Sequence, residues 1–150
     1  MEYENIMHLT FLSHSINEGF SRIVLAAFAV QLNPTLDELE DIKTAVSEAV
    51  TNAIIHGYEN TSGMIDITAY LYEQRITIEV SDHGKGIENI ELARQPLFTS
   101  CPSSERSGMG FTVMETFMDH IEIISQLGKG TTIRMEKRIE SKPDNRERLQ

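Results

Sequence analysis

The chain has 150 residues, of which 40% are hydrophobic and 24% are charged, and its formal net charge at pH 7 is −10. A chain of this length suits one domain with a single buried core. Binding to nucleic-acid phosphates requires a basic surface, so the acidic balance argues against a direct nucleic-acid partner.

Cysteine content and hydropathy favour a cytoplasmic location. The single cysteine, Cys101, cannot form an internal disulfide and suits a reducing compartment. No apolar run approaches the roughly 20 residues that span a bilayer. The first residues, Met1 to Glu4, are acidic where a signal peptide is basic. We therefore expect a cytoplasmic protein with no membrane partner.

The first predicted elements are a strand and a helix. Residues 7–12 alternate loosely between apolar and polar side chains, as a half-buried strand does. Ser15 and Glu18 have the spacing of a capping box, in which each side chain hydrogen-bonds the backbone N–H of the other residue. Apolar residues follow at helical intervals to Phe28, so the pattern predicts a helix that begins after Ser15.

A second, longer helix is predicted after the chain break at Asn33 and Pro34. Thr35 and Glu38 repeat the capping-box spacing, and Gly57 is a natural helix end. Apolar residues at helical spacing predict the buried face of this helix: Leu36, Leu39, Ile42, Val46, Ala49 or Val50, and Ala53.

Two hairpins and a third helix complete the predicted elements. Residues 65–71 and 76–80 alternate around a tight turn near residue 73, which predicts a β-hairpin. Residues 82–110 lack periodicity, which is typical of a functional or disordered loop. A helix is predicted over about residues 108–118. The last hairpin turns at residues 128–130 and places two apolar pairs opposite each other: Ile121 and Ile123 against Ile133 and Met135.

These elements predict an α+β fold. We expect a two-layer α/β sandwich, in which a mixed, mostly antiparallel sheet carries three helices on one face. One domain is expected over residues 1–138. Residues 139–150 contain Pro143 among several charged residues, which predicts a disordered C-terminal tail.

Glu48 and Asn52 are the first candidate site residues. They lie four residues apart on the second predicted helix, so they share a face, while the apolar stripe points elsewhere. A carboxamide oxygen is a hard ligand for Mg²⁺, and a carboxylate can orient or deprotonate a nucleophile. The alternative is a solvated pair joined by a hydrogen bond, and the pattern of these two residues alone favours that alternative.

Asp82, Gly84 and Gly86 follow the third predicted strand. The glycines permit positive φ and close backbone approach, and they leave room for a flat ligand. An aspartate here could accept a hydrogen bond from the exocyclic amino group of adenine, which guanine does not offer at that position. A simple turn after a strand uses the same residue types, so both explanations stay open.

Gly108 and Gly110, preceded by Arg106, lead into the third predicted helix. Backbone N–H groups at a helix N-terminus bind anions, and a neighbouring arginine can bind a terminal phosphate. The alternative is a flexible loop with a glycine near the helix start. The sequence contains no Gly-x4-Gly-Lys-Ser/Thr phosphate loop, and its five histidines show no zinc-site spacing.

The order of these motifs resembles the GHKL superfamily of ATPases and kinases. Its N, G1 and G2 boxes are matched in order by Glu-x3-Asn-x3-His-Gly from Glu48, Asp-x-Gly-x-Gly from Asp82 and Gly-x-Gly from Gly108, with Gly-Thr-Thr following from Gly130. Residues 48–58 and 94–112 are also similar to the sporulation anti-sigma factors of this superfamily. The similarity covers about residues 6–138. It implies the Bergerat, or histidine-kinase-like ATPase, fold with ATP or ADP as ligand.

The resemblance also implies roles for individual residues. Asn52 would coordinate Mg²⁺, Glu48 would act as general base on the acceptor hydroxyl, and Arg106 would reach the γ-phosphate. Residues 96–110 would form a lid over the nucleotide. Contacts to the base and the phosphates are implied for six residues: Asp82, Gly84, Gly86, Gly108, Gly110 and Thr131.

Protein partners follow from the same resemblance. These family members bind and inhibit a sporulation sigma factor of the sigma F type, phosphorylate a serine of an anti-anti-sigma protein, and form homodimers. Arg22 matches a residue that contacts these partners, and it would otherwise be a solvated helix charge. His83 stands inside the Asp82 motif where an acidic residue would be ordinary, and its side chain should point away from the base.

Three other functions fit the same motifs. A detached histidine-kinase catalytic domain needs a phosphoacceptor helix, and the sequence has no His followed by an acidic residue and Thr-Pro. A nucleotide-binding module would use ATP or ADP only as a conformational ligand. An ATPase of the chaperone or mismatch-repair type usually carries further domains, which are not expected in a chain of this length.

Overall fold

The computed structural model describes residues 3–95 and 110–140. Five strands form one sheet in the order β1-β2-β3-β5-β4, and each of its four pairings is antiparallel. The strands are β1 (Asn5–Leu12), β2 (Met64–Tyr72), β3 (Arg75–Asp82), β4 (His120–Gln126) and β5 (Gly130–Arg138).

The helices join these strands and pack on one side of the sheet. α1 packs on α2, and α2 packs on α4. A 3-10 turn at Val30–Leu32 extends α1, and a π-helical turn at Ala53–Gly57 extends α2. The part of the chain that the structure describes contains four α-helices: α1 (Ile16–Ala29), α2 (Leu36–Asn52), α3 (Ile90–Ala93) and α4 (Gly110–Phe117). The predicted α+β sandwich is confirmed; the short α3, in the stretch without periodicity, was not expected.

Alternation along the strands separates a buried face of the sheet from a polar one. In β2, Ile65 and Ile67 are buried against the helices, whereas the alternating residues Asp66 and Thr68 are partly exposed. The last hairpin has the predicted register, with Ile121 opposite Met135 and Ile123 opposite Ile133. Period-2 alternation therefore predicted these strands and the pairing within each of the two hairpins.

The two predicted capping boxes have different outcomes. At Thr35 both reciprocal hydrogen bonds form, because the Thr35 N–H donates to Glu38 Oε1 (2.9 Å) and the Glu38 N–H donates to Thr35 Oγ1 (3.0 Å). The box at Ser15 was wrong, because Ser15 makes no side-chain cap bond. The Glu18 carboxylate instead accepts a hydrogen bond from the Ser47 hydroxyl of α2. A tertiary contact has replaced the local one.

The predicted buried stripe of α2 is confirmed at its centre and fails at its start. Ile42, Val46, Ala49 and Val50 are buried. Leu36, the first residue of the helix, is 82% exposed. Leu36 lies at the exposed end of the helix, beyond the part that packs on the core. The helical spacing of apolar residues therefore extended the predicted buried stripe one turn too far.

Glu38 also joins the start of α2 to the end of the last strand. Its Oε2 accepts the N–H of Glu140 (3.0 Å), and the preceding Ile139 is fully buried, with its N–H bonded to the Gln74 carbonyl (2.8 Å). Burial acts to raise the pKa of Glu38. Hydrogen bonds from Thr35 and Glu140, together with the charge of Lys137, outweigh burial and lower this pKa below its ordinary value of 4.5.

Glu38→Gln should therefore destabilise the protein at neutral pH by about 0.5–1.5 kcal/mol, because the amide replaces a charged acceptor of two backbone N–H groups. A lowered folded-state pKa stabilises the protein above pH 4.5, and this contribution is lost as the pH falls through the folded-state value. Urea unfolding should thus show a difference between variant and wild type at pH 7 that shrinks toward pH 3. Glu40→Gln, on the exposed side of α2, is the control; a difference independent of pH would contradict the assignment.

Within the described ranges, no helix combines the length and the apolar character needed to cross a membrane.

Candidate functional site

The end of α2 brings the chain against the end of β3. After Asn52 the helix widens into the π-helical turn Ala53–Gly57, and the Tyr58 N–H closes it on the Ala53 carbonyl (3.0 Å). The predicted stop at Gly57 is the last residue of this turn. π-helical turns occur frequently at functional sites, since they redirect the backbone by one extra residue.

Asp82 lies at the centre of the site. It is the last residue of β3, and it is only 5% exposed. Its Oδ1 accepts the N–H of Gly84 (2.9 Å). A Cβ atom on Gly57 would lie 2.7–2.8 Å from the Asp82 carboxylate, so only glycine at position 57 leaves room for that group. The end of α2 and the loop after β3 thus enclose a buried carboxylate between them.

The environment of Asp82 disfavours its charge. Burial raises the pKa of Asp82, while hydrogen bonds from the backbone of Gly84 and Thr131 and the nearby His83 act in the opposite direction. A buried carboxylate at such a position gains from a ligand that donates a hydrogen bond to it. The exocyclic amino group of adenine is such a donor.

The glycines of the Asp82 motif are required by close backbone packing. A Cβ atom on Gly84 would collide with the Gly57 carbonyl, and one on Gly86 would collide with the Gln126 carbonyl. Gly86 also has φ +76°, in the left-handed region that favours glycine. The loop is therefore pressed between the end of α2 and the β4–β5 turn.

Thr131 completes the same cluster from β5. It is buried and lies directly opposite Asp82 in the β3–β5 register. Its hydroxyl contacts that of Ser125 (2.8 Å), which in turn accepts the N–H of Ile87 (2.7 Å). Ser125 was missed by the sequence interpretation. The predicted pairing of Ile123 with Ile133 could have located it, since two residues further that register sets Ser125 opposite Thr131.

Glu48 and Asn52 lie one helical turn apart on α2, and Asn52 immediately precedes the π-helical turn that ends at Gly57. Both residues are half-buried, and Glu48 Oε2 is shielded from solvent. Val46 and Val50 of the predicted stripe are fully buried and point elsewhere, whereas the buried Ala45 and Ala49 lie one turn before Glu48 and Asn52, so the two polar residues border the buried face. The described residues contain no cluster of three or more His, Cys, Asp or Glu side chains that could hold a metal ion. Asn52 nonetheless supplies the carboxamide oxygen that suits Mg²⁺ shared with phosphates.

Charged and titratable side chains that the motifs did not predict belong to residues close to Gly57 and Gly84 in the chain. Lys85 forms an ion pair with Glu59. Burial lowers the pKa of His56, the charge of Lys85 lowers it further, and Glu59 opposes both. The His83 side chain lies beside that of Asp66, with its Nε2 3.3 Å from Asp66 Oδ2.

The remaining predicted site residues divide into three groups. Gly110 is the first residue of α4, whereas Arg106 and Gly108 lie outside the described residues, so their phosphate contacts stay predictions. Arg22 is partly exposed on α1, 3.7 Å from Glu18 Oε1 and 3.5 Å from the Ser47 hydroxyl.

Comparison with known proteins assigns this architecture to a family. Residues 19–137 match the family model of the histidine kinase-like ATPase domain. The anti-sigma F factor of Thermoanaerobacter sp. (strain X514) is 64% identical over 141 residues, which are 94% of this chain and 99% of that protein. The anti-sigma F factor of Clostridium acetobutylicum is 60% identical over 91% of this chain and 95% of its own length.

A solved structure supports the fold independently. The RsbU and RsbW domains of Rv1364c from Mycobacterium tuberculosis superpose with a TM-score of 0.65 at 21% identity. The superposition covers 90% of this chain and 32% of that larger one, so it bears on the fold alone. The family match identifies the domain as a histidine kinase-like ATPase domain. The chain belongs to the anti-sigma F factors, within the family of histidine kinase-like ATPase domains.

Proposed function

We propose that the chain is an ATP-dependent protein serine kinase that also binds and inhibits a sporulation sigma factor. Its substrate would be a serine of an anti-anti-sigma protein, which antagonises the inhibition. The observation that carries the nucleotide part is the buried Asp82 carboxylate, enclosed by Gly57 and Thr131. The name of the relatives supports the sigma-factor part.

Adenine specificity follows from the chemistry of Asp82. A carboxylate accepts a hydrogen bond from the 6-amino group of adenine, and it meets a carbonyl oxygen at the same position in guanine. Thr131 lies opposite Asp82, and its hydroxyl would contact the same edge of the base. Gly84 and Gly86 have no side chains, so the backbone of the loop could approach the plane of the adenine ring closely.

Phosphoryl transfer would use the groups on α2. Mg²⁺ held by Asn52 and the phosphates would neutralise charge that develops on the transferred group. Glu48 would accept the proton of the serine hydroxyl as the serine oxygen bonds to the γ-phosphorus and the bond to ADP breaks. Arg106, Gly108 and Gly110 would bind the phosphates from the lid, where a cation and helix N–H groups suit an anion.

Partner binding would use α1. Arg22 places a partly exposed guanidinium on this helix, held by Glu18 and Ser47 in the free protein. An acidic side chain of a partner could replace Glu18 in this pairing. We further propose a cytoplasmic homodimer as the working form, consistent with the sporulation anti-sigma factors that the sequence resembles.

Labelling with radioactive ATP tests the kinase activity. Purified chain, Mg²⁺ and the cognate anti-anti-sigma protein should yield phosphoserine on that protein, and omission of Mg²⁺ should abolish the label. Tight ATP binding without any labelling would contradict the kinase and favour a nucleotide-binding module. Label on a histidine would favour a histidine-kinase type of transfer.

A further inference from the structure

The hydroxyl of Tyr58 bridges two backbone groups at the edge of the site. It donates a hydrogen bond to the Met64 carbonyl (2.6 Å) and accepts one from the His83 N–H (2.7 Å). Tyr58 is buried, 7% exposed, so water does not compete strongly for either bond. This single side chain therefore ties the end of the π-helical turn to the start of β2 and to the loop after β3.

The loop after Asp82 depends on this segment for its backbone bonds. The N–H groups of residues 83, 84 and 85 donate in turn to the Tyr58 hydroxyl, to Asp82 Oδ1 and to the Gly57 carbonyl (2.7, 2.9 and 2.9 Å). Two of these three acceptors belong to residues 57–58. Strand pairing holds the backbone of Asp82, whereas the loop whose Gly84 N–H bonds to its carboxylate is held in part by residues 57–58.

The ring of Tyr58 is itself held in place. A Cβ atom on Gly63 would lie within 3.0 Å of three atoms of the ring, so the ring packs directly on the Gly63 backbone. Gly63 is bonded in both directions to Ser13, through its N–H to Ser13 Oγ (3.0 Å) and its carbonyl to the Ser13 N–H (2.9 Å). This packing restricts the position of the Tyr58 ring, and therefore the position of the hydroxyl that bonds to the loop after β3.

Tyr58 also keeps its proton under physiological conditions. Burial raises the pKa of its hydroxyl, and the charges of Asp82 and Asp66 act in the same direction, against the hydrogen bond from His83. The hydroxyl can therefore donate to Met64 and accept from His83 at the same time.

We propose that Tyr58 is a positioning residue for adenine recognition: its hydroxyl holds residues 83–85 so that the Asp82 carboxylate meets the 6-amino group of the base. The residue itself need not touch the nucleotide. This inference rests on the proposed adenine site, and it adds a specificity-determining residue that directly follows the Glu48–Gly57 motif and had no role assigned from the sequence.

The test compares ATP with ITP, which carries an oxygen in place of the 6-amino group. Calorimetric dissociation constants for both nucleotides give a preference ratio for each variant. Wild type should prefer ATP, and Tyr58→Phe should lower that preference about three- to tenfold, as expected for one lost hydrogen bond at the loop. A Tyr58→Phe variant with the wild-type ratio would overturn the proposal.

Tyr70→Phe is a matched control. Tyr70 is also buried, and its hydroxyl donates to Glu79 (2.7 Å) on the polar face of the sheet, away from Asp82. Thermal unfolding of both variants separates stability from positioning. A purely structural role for Tyr58 would lower the melting temperature and weaken ATP and ITP equally. That result, or an equal fall of the ratio in Tyr70→Phe, would count against positioning.

Gly63→Ala is an independent second variant, needed if Tyr58→Phe loses cooperative unfolding. Its methyl group would push the Tyr58 ring while leaving the hydroxyl present. The preference ratio should fall here too, and an unchanged ratio would overturn the proposal. A wild type without preference for ATP would contradict the adenine site itself, whereas a wild-type preference retained in both variants contradicts only the role of Tyr58.

Discussion

Glu48→Gln is expected to lower the rate of serine phosphorylation by about 10²–10⁴-fold while leaving ADP affinity nearly unchanged. The carboxylate lies on α2 with Oε2 shielded from solvent, and its amide isostere keeps the shape and removes the basic oxygen. A general base acts on the transition state and contributes little to ground-state binding of the nucleotide, so the rate and the affinity should separate. Single-turnover labelling and calorimetry measure the two quantities.

Glu40→Gln, on the same helix but exposed and paired with Lys43, serves as the control for Glu48. It should retain wild-type labelling and wild-type ADP affinity. Full labelling by Glu48→Gln would remove the general base from the mechanism. Parallel loss of labelling and ADP binding would assign Glu48 to nucleotide binding, and neither result would affect the Asp82 site.

Asp82→Asn should weaken ATP binding by about 1–3 kcal/mol, because the adenine amino group loses a charged, buried acceptor. In the absence of nucleotide the variant should be at least as stable as the wild type near neutral pH. Burial raises the pKa of Asp82, so the ionised carboxylate costs stability as the pH rises through the folded-state value. Asparagine carries no such charge, and the advantage of the variant should vanish in acid.

Calorimetry with ATP and thermal unfolding with and without ADP measure these opposite effects. The shift in melting temperature that saturating ADP produces in the wild type should shrink in Asp82→Asn. GTP should compete poorly with ATP for the wild type. Efficient competition by GTP, or unchanged ATP affinity in the variant, would show that Asp82 does not recognise the base.

Local patterns in the sequence predicted most of the secondary structure correctly. The hydrophobic alternation of β2 and β3, the stripe of α2 and the capping box at Thr35 depend on residues within four positions of one another. Such interactions form wherever the local pattern occurs, provided that no distant group competes for the same atoms. The spacing of the Asp82 motif likewise needs only the end of a strand and glycines.

The box at Ser15 shows where a local pattern stops being sufficient. Its residue types match those at Thr35, yet the Glu18 carboxylate bonds to Ser47 and pairs with Arg22. The competing hydroxyl is 29 residues away in the chain. Its proximity depends on how α1 packs against α2, which no short window of sequence contains.

The buried carboxylate at Asp82 marks the same boundary between sequence and tertiary structure. The amino-acid sequence alone determined which residue types could recognise an adenine nucleotide, and in which order. Only the tertiary structure decided that Gly57 covers the carboxylate, that Thr131 lies opposite it, and that Tyr58 holds its loop. These contacts join residues that are at least 25 positions apart in the chain, as Tyr58 and His83 are. Such pairs meet only after the helices pack on the sheet, because burial of the shared core, rather than local spacing, brings them together.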